Sequence, residues 1–226
     1  MKKFLFLAVF LITSFILSAQ TNLSGTYGYS FPPPANTGND KKATGPSGNL
    51  VILKMDGNKY RFWLSVTIGW PNYNIGETDG TINFVNDTAS FDNTYEDAEQ
   101  PCILKFKITG STININSMSS SFNCGFGNGV NADGDYKLLK QQPVMNNEWL
   151  KKQYYQTTSI IITAKKAELF QDENCLRPFP KNYYFIKDDS LMNIAETEKT
   201  VYTEFITPAG KFVYGWLRKT DVKLID

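Results

Sequence analysis

From residue 23 to about residue 140, apolar and polar positions alternate in short runs broken by Gly, Asn and Asp, the period of strands buried on one face. Residues 49–55 and 60–66 flank Asp56-Gly57-Asn58-Lys59, and because Asp-Gly tolerates the positive φ angles of a tight turn, they are expected to form a hairpin. Further strands are expected over 25–31, 80–85, 88–92, 103–108 and 112–117, with a last one over 135–139 after the Asp133-Gly134 turn. About eight strands, opened by Gly25-Thr26-Tyr27 and closed by Gly134-Asp135-Tyr136, predict an antiparallel barrel whose first and last strands pair. A two-sheet sandwich is the alternative.

The alternation stops at Gln141-Gln142-Pro143-Val144-Met145-Asn146-Asn147, a polar stretch that reads as a linker. After it, residues 148–155 suit one or two helical turns capped by Asn147, with Trp149 and Leu150 near Tyr154 on a buried side. The chain thus divides into a barrel domain over 20–140, a linker with a short helix over 141–156, and a small β domain over 157–226. At the start, Lys2 and Lys3 precede an apolar run over 4–17 closed by Ser18-Ala19-Gln20, the pattern of a signal peptide covering 1–19. The run is shorter than the about 20 apolar residues of a membrane-spanning helix, and no cysteine stands at the cleavage position to take a lipid. A periplasmic or secreted protein without an integral membrane segment is expected.

Two phrases near the end carry a resemblance. Tyr183-Tyr184-Phe185-Ile186-Lys187-Asp188-Asp189-Ser190 is followed by Gly215-Trp216-Leu217-Arg218. Together they resemble the bacterial SH3-like domain, in which an aromatic-aliphatic-Lys-Gly-Asp turn feeds one strand and Gly-Trp-[Ile/Leu] opens the last. Here Asp188 stands in the glycine's place. The resemblance implies an all-β chain ending in a small SH3-like barrel, whose groove Tyr183, Tyr202 and Trp216 would line, with a core position as the alternative for Trp216. The first domain, through Tyr95, Cys102-Ile103-Leu104-Lys105-Phe106, Ile113-Asn114-Ile115 and Cys124-Gly125-Phe126-Gly127-Asn128-Gly129-Val130, resembles a module of secreted bacterial proteins, mostly of unknown role. Some neighbours of that module are linked to inhibition of cell-wall hydrolases.

Charge and composition narrow the chemistry. Cleavage of the leader takes two of the 23 basic residues and leaves 21 against 22 acidic ones, a formal net charge of −1. The lysines are scattered, as in Lys41-Lys42, Lys151-Lys152 and Lys165-Lys166, so no basic stripe points to nucleic acid. Histidine is absent, which excludes Ser-His-Asp and Cys-His catalysis and the commonest transition-metal ligand. No cofactor or metal is expected. Asn131, Asp133 and Asp135 alternate like calcium ligands, but the glycine is misplaced for an EF-hand loop. Gly125-Phe126-Gly127-Asn128-Gly129 has no helix start to make it a phosphate loop. Glu96, Asp97 and Glu99 lie too close along one loop to face each other across a sugar.

Of three cysteines in an oxidising compartment, Cys102 opens one strand and Cys124 follows its hairpin partner, so these two are expected to pair. Cys175 is left over, as a half-buried thiol or an intermolecular partner. Trp70 and Tyr73 sit in a loop between strands, where aromatic rings suit a sugar or a protein, or else fold onto the barrel's end. The proline run 32–34 favours polyproline geometry. The expected function is a non-catalytic, two-domain binding or adaptor protein of the cell envelope, with peptidoglycan or a protein as partner. The alternative is an inhibitor or immunity protein against a cell-wall hydrolase or another secreted enzyme, which requires a protruding loop around Trp70 or within 31–48.

Overall fold

The computed structural model describes residues 22–38, 40–94, 97–154, 157–180 and 183–225. The expected leader over 1–19, Tyr95, Glu96 and Tyr155 lie outside them.

Eight antiparallel strands make one sheet: β1 (Gly25–Ser30), β2 (Ser47–Lys54), β3 (Lys59–Thr67), β4 (Ile75–Asn83), β5 (Thr88–Asp92), β6 (Ile103–Thr109), β7 (Thr112–Ser117) and β8 (Gly134–Leu138). Their spatial order is β4-β3-β2-β1-β8-β7-β6-β5. The first and last strands pair, Tyr27 opposite Leu138 and Gly28 opposite Lys137. The two ends of the order, β4 and β5, are joined by a tight turn in which Asn86 and Asp87 take positive φ (49° and 62°), the residue types that tolerate it. The sheet is therefore a nearly closed barrel, and its alternation follows from one wall facing inward. Inward rings fill it: Phe62 meets Phe91 and Phe106 edge-on at 5.2 and 5.3 Å, and Tyr60 meets Phe84 at 5.7 Å.

One strand departs from expectation. β4 begins at Ile75, five residues before the expected start at residue 80, because its whole length pairs with the nine residues of β3. Its first half, Ile75-Gly76-Glu77-Thr78-Asp79, carries no apolar alternation. Gly76 is there for a contact instead, since a Cβ would lie 2.5 Å from the Phe126 ring that covers it.

All long connections of the barrel, over 31–46, 68–74, 93–102 and 118–133, leave the same end, where β1, β3, β5 and β7 finish. The other end has short turns. The connection over 118–133 holds a 3-10 turn, Ser121–Cys124, and is tied to the start of β6 by the Cys102–Cys124 disulfide.

Beyond the barrel, α1 (Asn147–Lys151) is capped one residue earlier than expected, by Asn146, whose Oδ1 accepts from the Trp149 amide at 2.9 Å. The remaining strands are β9 (Thr158–Ile162), β10 (Lys166–Glu168), β11 (Tyr184–Ile186), β12 (Ser190–Asn193), β13 (Ala195–Glu196), β14 (Thr200–Ile206), β15 (Phe212–Arg218) and β16 (Val222–Ile225). They form three small sheets, β12-β9-β16, β13-β14-β15 and β10-β11, around Ile160, Ile162, Leu169, Leu191, Val201 and Leu217.

A further core lies between the two parts. Val51, Leu53, Met55 and Trp63, on the outer wall of β2 and β3, pack with Leu150 of α1, Met192 of β12, and Ile206 and Phe212 of β14 and β15. The Trp63 ring meets Trp149, Tyr154 and Phe212 at 5.7, 6.2 and 6.1 Å, each nearly perpendicular. Residues 145–154 are thus packed structure rather than a free tether.

Candidate functional site

The expected ligand-binding residues fall in three places. Trp70 and Tyr73 share the connection over 68–74 at the barrel's loop end. Trp70 is half-buried and its amide donates to the Thr44 carbonyl at 2.8 Å, so this connection lies on the one over 31–46. Tyr73 is exposed, with its hydroxyl 3.4 Å from Asp40 Oδ2. Tyr202 and Trp216 are opposite each other on β14 and β15, ring centroids 5.3 Å apart. Tyr183 belongs to the other side of that hairpin, where it packs edge-on to Phe179 at 5.8 Å and lies under the Lys211 ammonium.

Tyr183 lines a groove of about 270 Å³ together with Tyr184, Phe185, Phe205 and Val213, and with Asp189, Ser190 and Thr207 as its polar members. Alternation puts Phe205 and Val213 on this face, away from Tyr202 and Trp216. Tyr184 is 52% exposed and carries the Lys166 ammonium 4.6 Å from its ring centroid. At the end of β11, Asp188 takes a φ of 72°, and Asp189 Oδ2 accepts from the Ile186 amide at 2.9 Å. The turn that delivers the groove's tyrosines is thereby fixed by two aspartates.

A second site, around Arg61, escapes the sequence reading. Arg61 (8% exposed) donates from Nε to Glu204 Oε1 at 2.9 Å, and from Nη2 to Asp79 Oδ2 at 2.5 Å and to the Tyr154 hydroxyl at 3.0 Å. The Tyr154 hydroxyl donates to Glu204 Oε2, and the Tyr202 hydroxyl reaches Oε1 at 3.4 Å. Burial works against the charge of Arg61, but Glu204, Tyr154 and Asp79 outweigh it and hold the guanidinium above its ordinary value. Glu204, 1% exposed, is pushed up by burial and pulled back by Arg61 and Tyr154. Three donors on one carboxylate favour the ionised pair. Burial likewise pushes the Tyr154 and Tyr202 hydroxyls up. A signal was available: Arg61 interrupts an apolar run, and Glu204 is the single charge in Thr200-Val201-Tyr202-Thr203-Glu204-Phe205-Ile206. A lone charge among apolar residues marks a partner elsewhere in the chain.

Beside this network a cleft of about 320 Å³ opens between the outer wall of β2, β3 and β4 and the end of the linker, with Asn49, Ser65, Glu77 and Asp79 on one side and Lys152 and Tyr154 on the other. Glu77 and Asp79 point the same way from one strand, and Asp79 is held by Arg61. They do not flank a bond from opposite sides as glycosidase carboxylates do.

The remaining candidates resolve into local structure. Asn131 Oδ1 accepts from the Asp133 amide, Asp133 Oδ1 from the Ser117 amide and Asp135 Oδ1 from Asn114, so the three oxygens serve separate partners. Asp97 Oδ1 accepts from the amides of Glu99 and Gln100. Phe126 is buried between Gly125 and Gly127. Cys175 is buried and unpaired, and burial pushes its thiol up. Among the described residues no helix is long and apolar enough to cross a membrane, and no group of three or more His, Cys, Asp or Glu is placed to hold a metal.

Comparison with protein-family models, curated proteins and solved structures finds no match to this chain.

Proposed function

We propose that the protein is an exported, non-catalytic binding protein of the cell envelope that engages peptidoglycan or a protein partner through an SH3-like C-terminal domain. The observation that carries this reading is the groove lined by Tyr183, Tyr184, Phe185, Phe205 and Val213, concave and aromatic with a few polar groups at its edge. The barrel interior is filled by its own rings, so ligand contact belongs to outer surfaces. Two features support the SH3-like assignment. Asp188 takes the left-handed backbone conformation that the family's glycine supplies, and Gly215 has a φ of 152° with the Phe170 carbonyl 2.7 Å from where a Cβ would stand.

The test is retention of residues 20–226 on purified peptidoglycan, alongside the variants Tyr183→Ala and Tyr184→Ala. Retention that falls roughly tenfold or more in the variants, equivalent to about 1.4 kcal/mol, supports the reading. Retention indifferent to both variants, or none, overturns the wall-binding form.

A second reading, the inhibitor, is favoured by the loop end of the barrel. There Phe31 is 61% exposed, Phe122 64% and Tyr73 41%. Four connections gather at this end with exposed rings among them, a surface suited to another protein's cleft. Stoichiometric inhibition of a cell-wall hydrolase, lost in Phe31→Ala with Phe122→Ala, would favour it over the groove.

A further inference from the structure

We infer that the cleft between the outer wall of β2, β3 and β4 and the linker is a second ligand site, and that its ligand is a neutral carbohydrate of one or two rings. The inference does not depend on the C-terminal groove, which lies on another face. It begins from the register. Asn49, Ser65 and Glu77 are direct cross-strand neighbours, Asn49 opposite Ser65 and Ser65 opposite Glu77. Their side chains share the outer face, and with strands about 4.8 Å apart they form a polar row about 10 Å long. One rung further along, Trp63 is opposite Asp79, and Trp63 lines the same cleft. Lys152, Gln153 and Tyr154 close the other side. The cavity, about 320 Å³, has the volume of a small-molecule site.

Ligand class follows from charge and from which groups are spoken for. Glu77 and Asp79 face Lys152 and Arg61, but Arg61 is shared with the buried Glu204, so the cleft carries a slight negative excess and selects against an anion. Arg61 Cζ already lies 5.0 Å from the Trp63 ring centroid and 5.8 Å from that of Tyr154, so these rings are engaged by the protein's own cation, which disfavours an ammonium ligand there. What remains is polar and mixed. Glu77 accepts from Ser65 at 3.3 Å, and among the described residues its other oxygen has no protein donor and Asp79 keeps one oxygen beside the one given to Arg61. The Trp63 indole N–H, buried, has no acceptor among the described residues. An amide, a hydroxyl, two carboxylates and a lysine spaced along a concave wall match the vicinal hydroxyls of a pyranose, each of which both donates and accepts.

The experiment is calorimetric titration of residues 20–226 with two neutral disaccharides, cellobiose and N,N′-diacetylchitobiose, and with alanine as a zwitterionic comparison. Saturable binding of at least one disaccharide is expected at millimolar concentration, weakened tenfold or more in Glu77→Gln and in Asn49→Ala. Both residues are exposed, so circular dichroism is expected to match the parent. The groove variant Tyr184→Ala is expected to keep the sugar affinity, which separates failure of this site from failure of the groove. Binding of neither sugar, binding of alanine alone, or sugar affinity unchanged by Glu77→Gln and Asn49→Ala together would overturn the inference.

Discussion

Arg61 and Glu204 show how one residue pair sets the terms for its surroundings. Both are buried, and Glu204 is tolerated there because Arg61 is present. Removing Arg61 leaves the Glu204 charge uncompensated, so Arg61→Ala should lower stability by about 3–5 kcal/mol in denaturant titrations, whereas Glu204→Ala should cost less because Arg61 keeps Asp79. Replacing both with Met and Leu should recover most of the loss, because a buried ion pair is worth little over well-packed apolar residues. Asp79 is different. Its side chain is 47% exposed, and Asp79→Asn should cost about 0–1 kcal/mol. Buried tyrosines here and in the barrel core set a pH dependence. Burial, the largest cause in each case, holds the hydroxyls of Tyr136, Tyr154, Tyr202 and Tyr214 above their ordinary value. Since a raised folded value stabilises below the unfolded value of about 10 and that contribution is lost as pH rises through the folded value, stability should fall steeply in alkali. Ultraviolet titration should show part of the 12 tyrosines ionising only as the chain unfolds. Ordinary ionisation of all of them in a native-like spectrum would contradict this.

At the level of the element, the barrel's weak point is the seam between β4 and β5, closed by Phe91 of β5 against Gly80 and by a side chain from another connection. Phe126 covers Gly76, and Phe126 is held by a connection whose anchor is the Cys102–Cys124 disulfide. Cys102→Ser with Cys124→Ser removes a constraint of roughly 3 kcal/mol in the chain-entropy model. Hydrogen exchange should accelerate first in β4 and β5, while β1 and β2 stay protected; uniform acceleration would show that the seam has no special dependence on the bridge. The sequence made some of these elements readable and not others. β5 and β7 were legible to the residue because Asn86-Asp87 and Gly110-Ser111 punctuate clear alternation. The first half of β4 was not, since polar residues and glycines there are specified by a partner strand and by Phe126, both distant in sequence. The Cys102–Cys124 pair followed from their places, one at the start of a strand and the other after its hairpin partner. In the candidate sites, the aromatic groove was half visible through Tyr183, but Tyr202 and Trp216 proved to share a different face, which depends on strand register. The cleft residues Asn49, Ser65 and Glu77 carry no motif, and only pairing brings them together.

For the whole molecule, the decisive feature is that the outer wall of β2 and β3 is a core position. A barrel facing water would alternate, yet Leu50-Val51-Ile52-Leu53 and Phe62-Trp63-Leu64 are apolar on both faces, the pattern of a strand buried on both sides. The second face is covered by α1, β12, β14 and β15, with Trp63 at its centre. The two parts should therefore unfold together. In the full chain, one transition is expected by both near-ultraviolet dichroism and hydrogen exchange in β14 and β15. Trp63→Ala should lower its midpoint by an amount matching about 3–5 kcal/mol, the cost of emptying a large buried aromatic site. Loss of Arg61's stacking on that ring adds to it. Residues 20–140 alone would expose Val51, Leu53, Met55 and Trp63 as one apolar patch and should self-associate. Two separate transitions in the parent, with Trp63→Ala shifting only one, would mean that the parts fold independently and that the shared core is a contact of convenience. The outcome also bears on the cleft, because its two walls come from β2–β4 and from the linker, and only a molecule that folds as a unit holds them at a fixed distance.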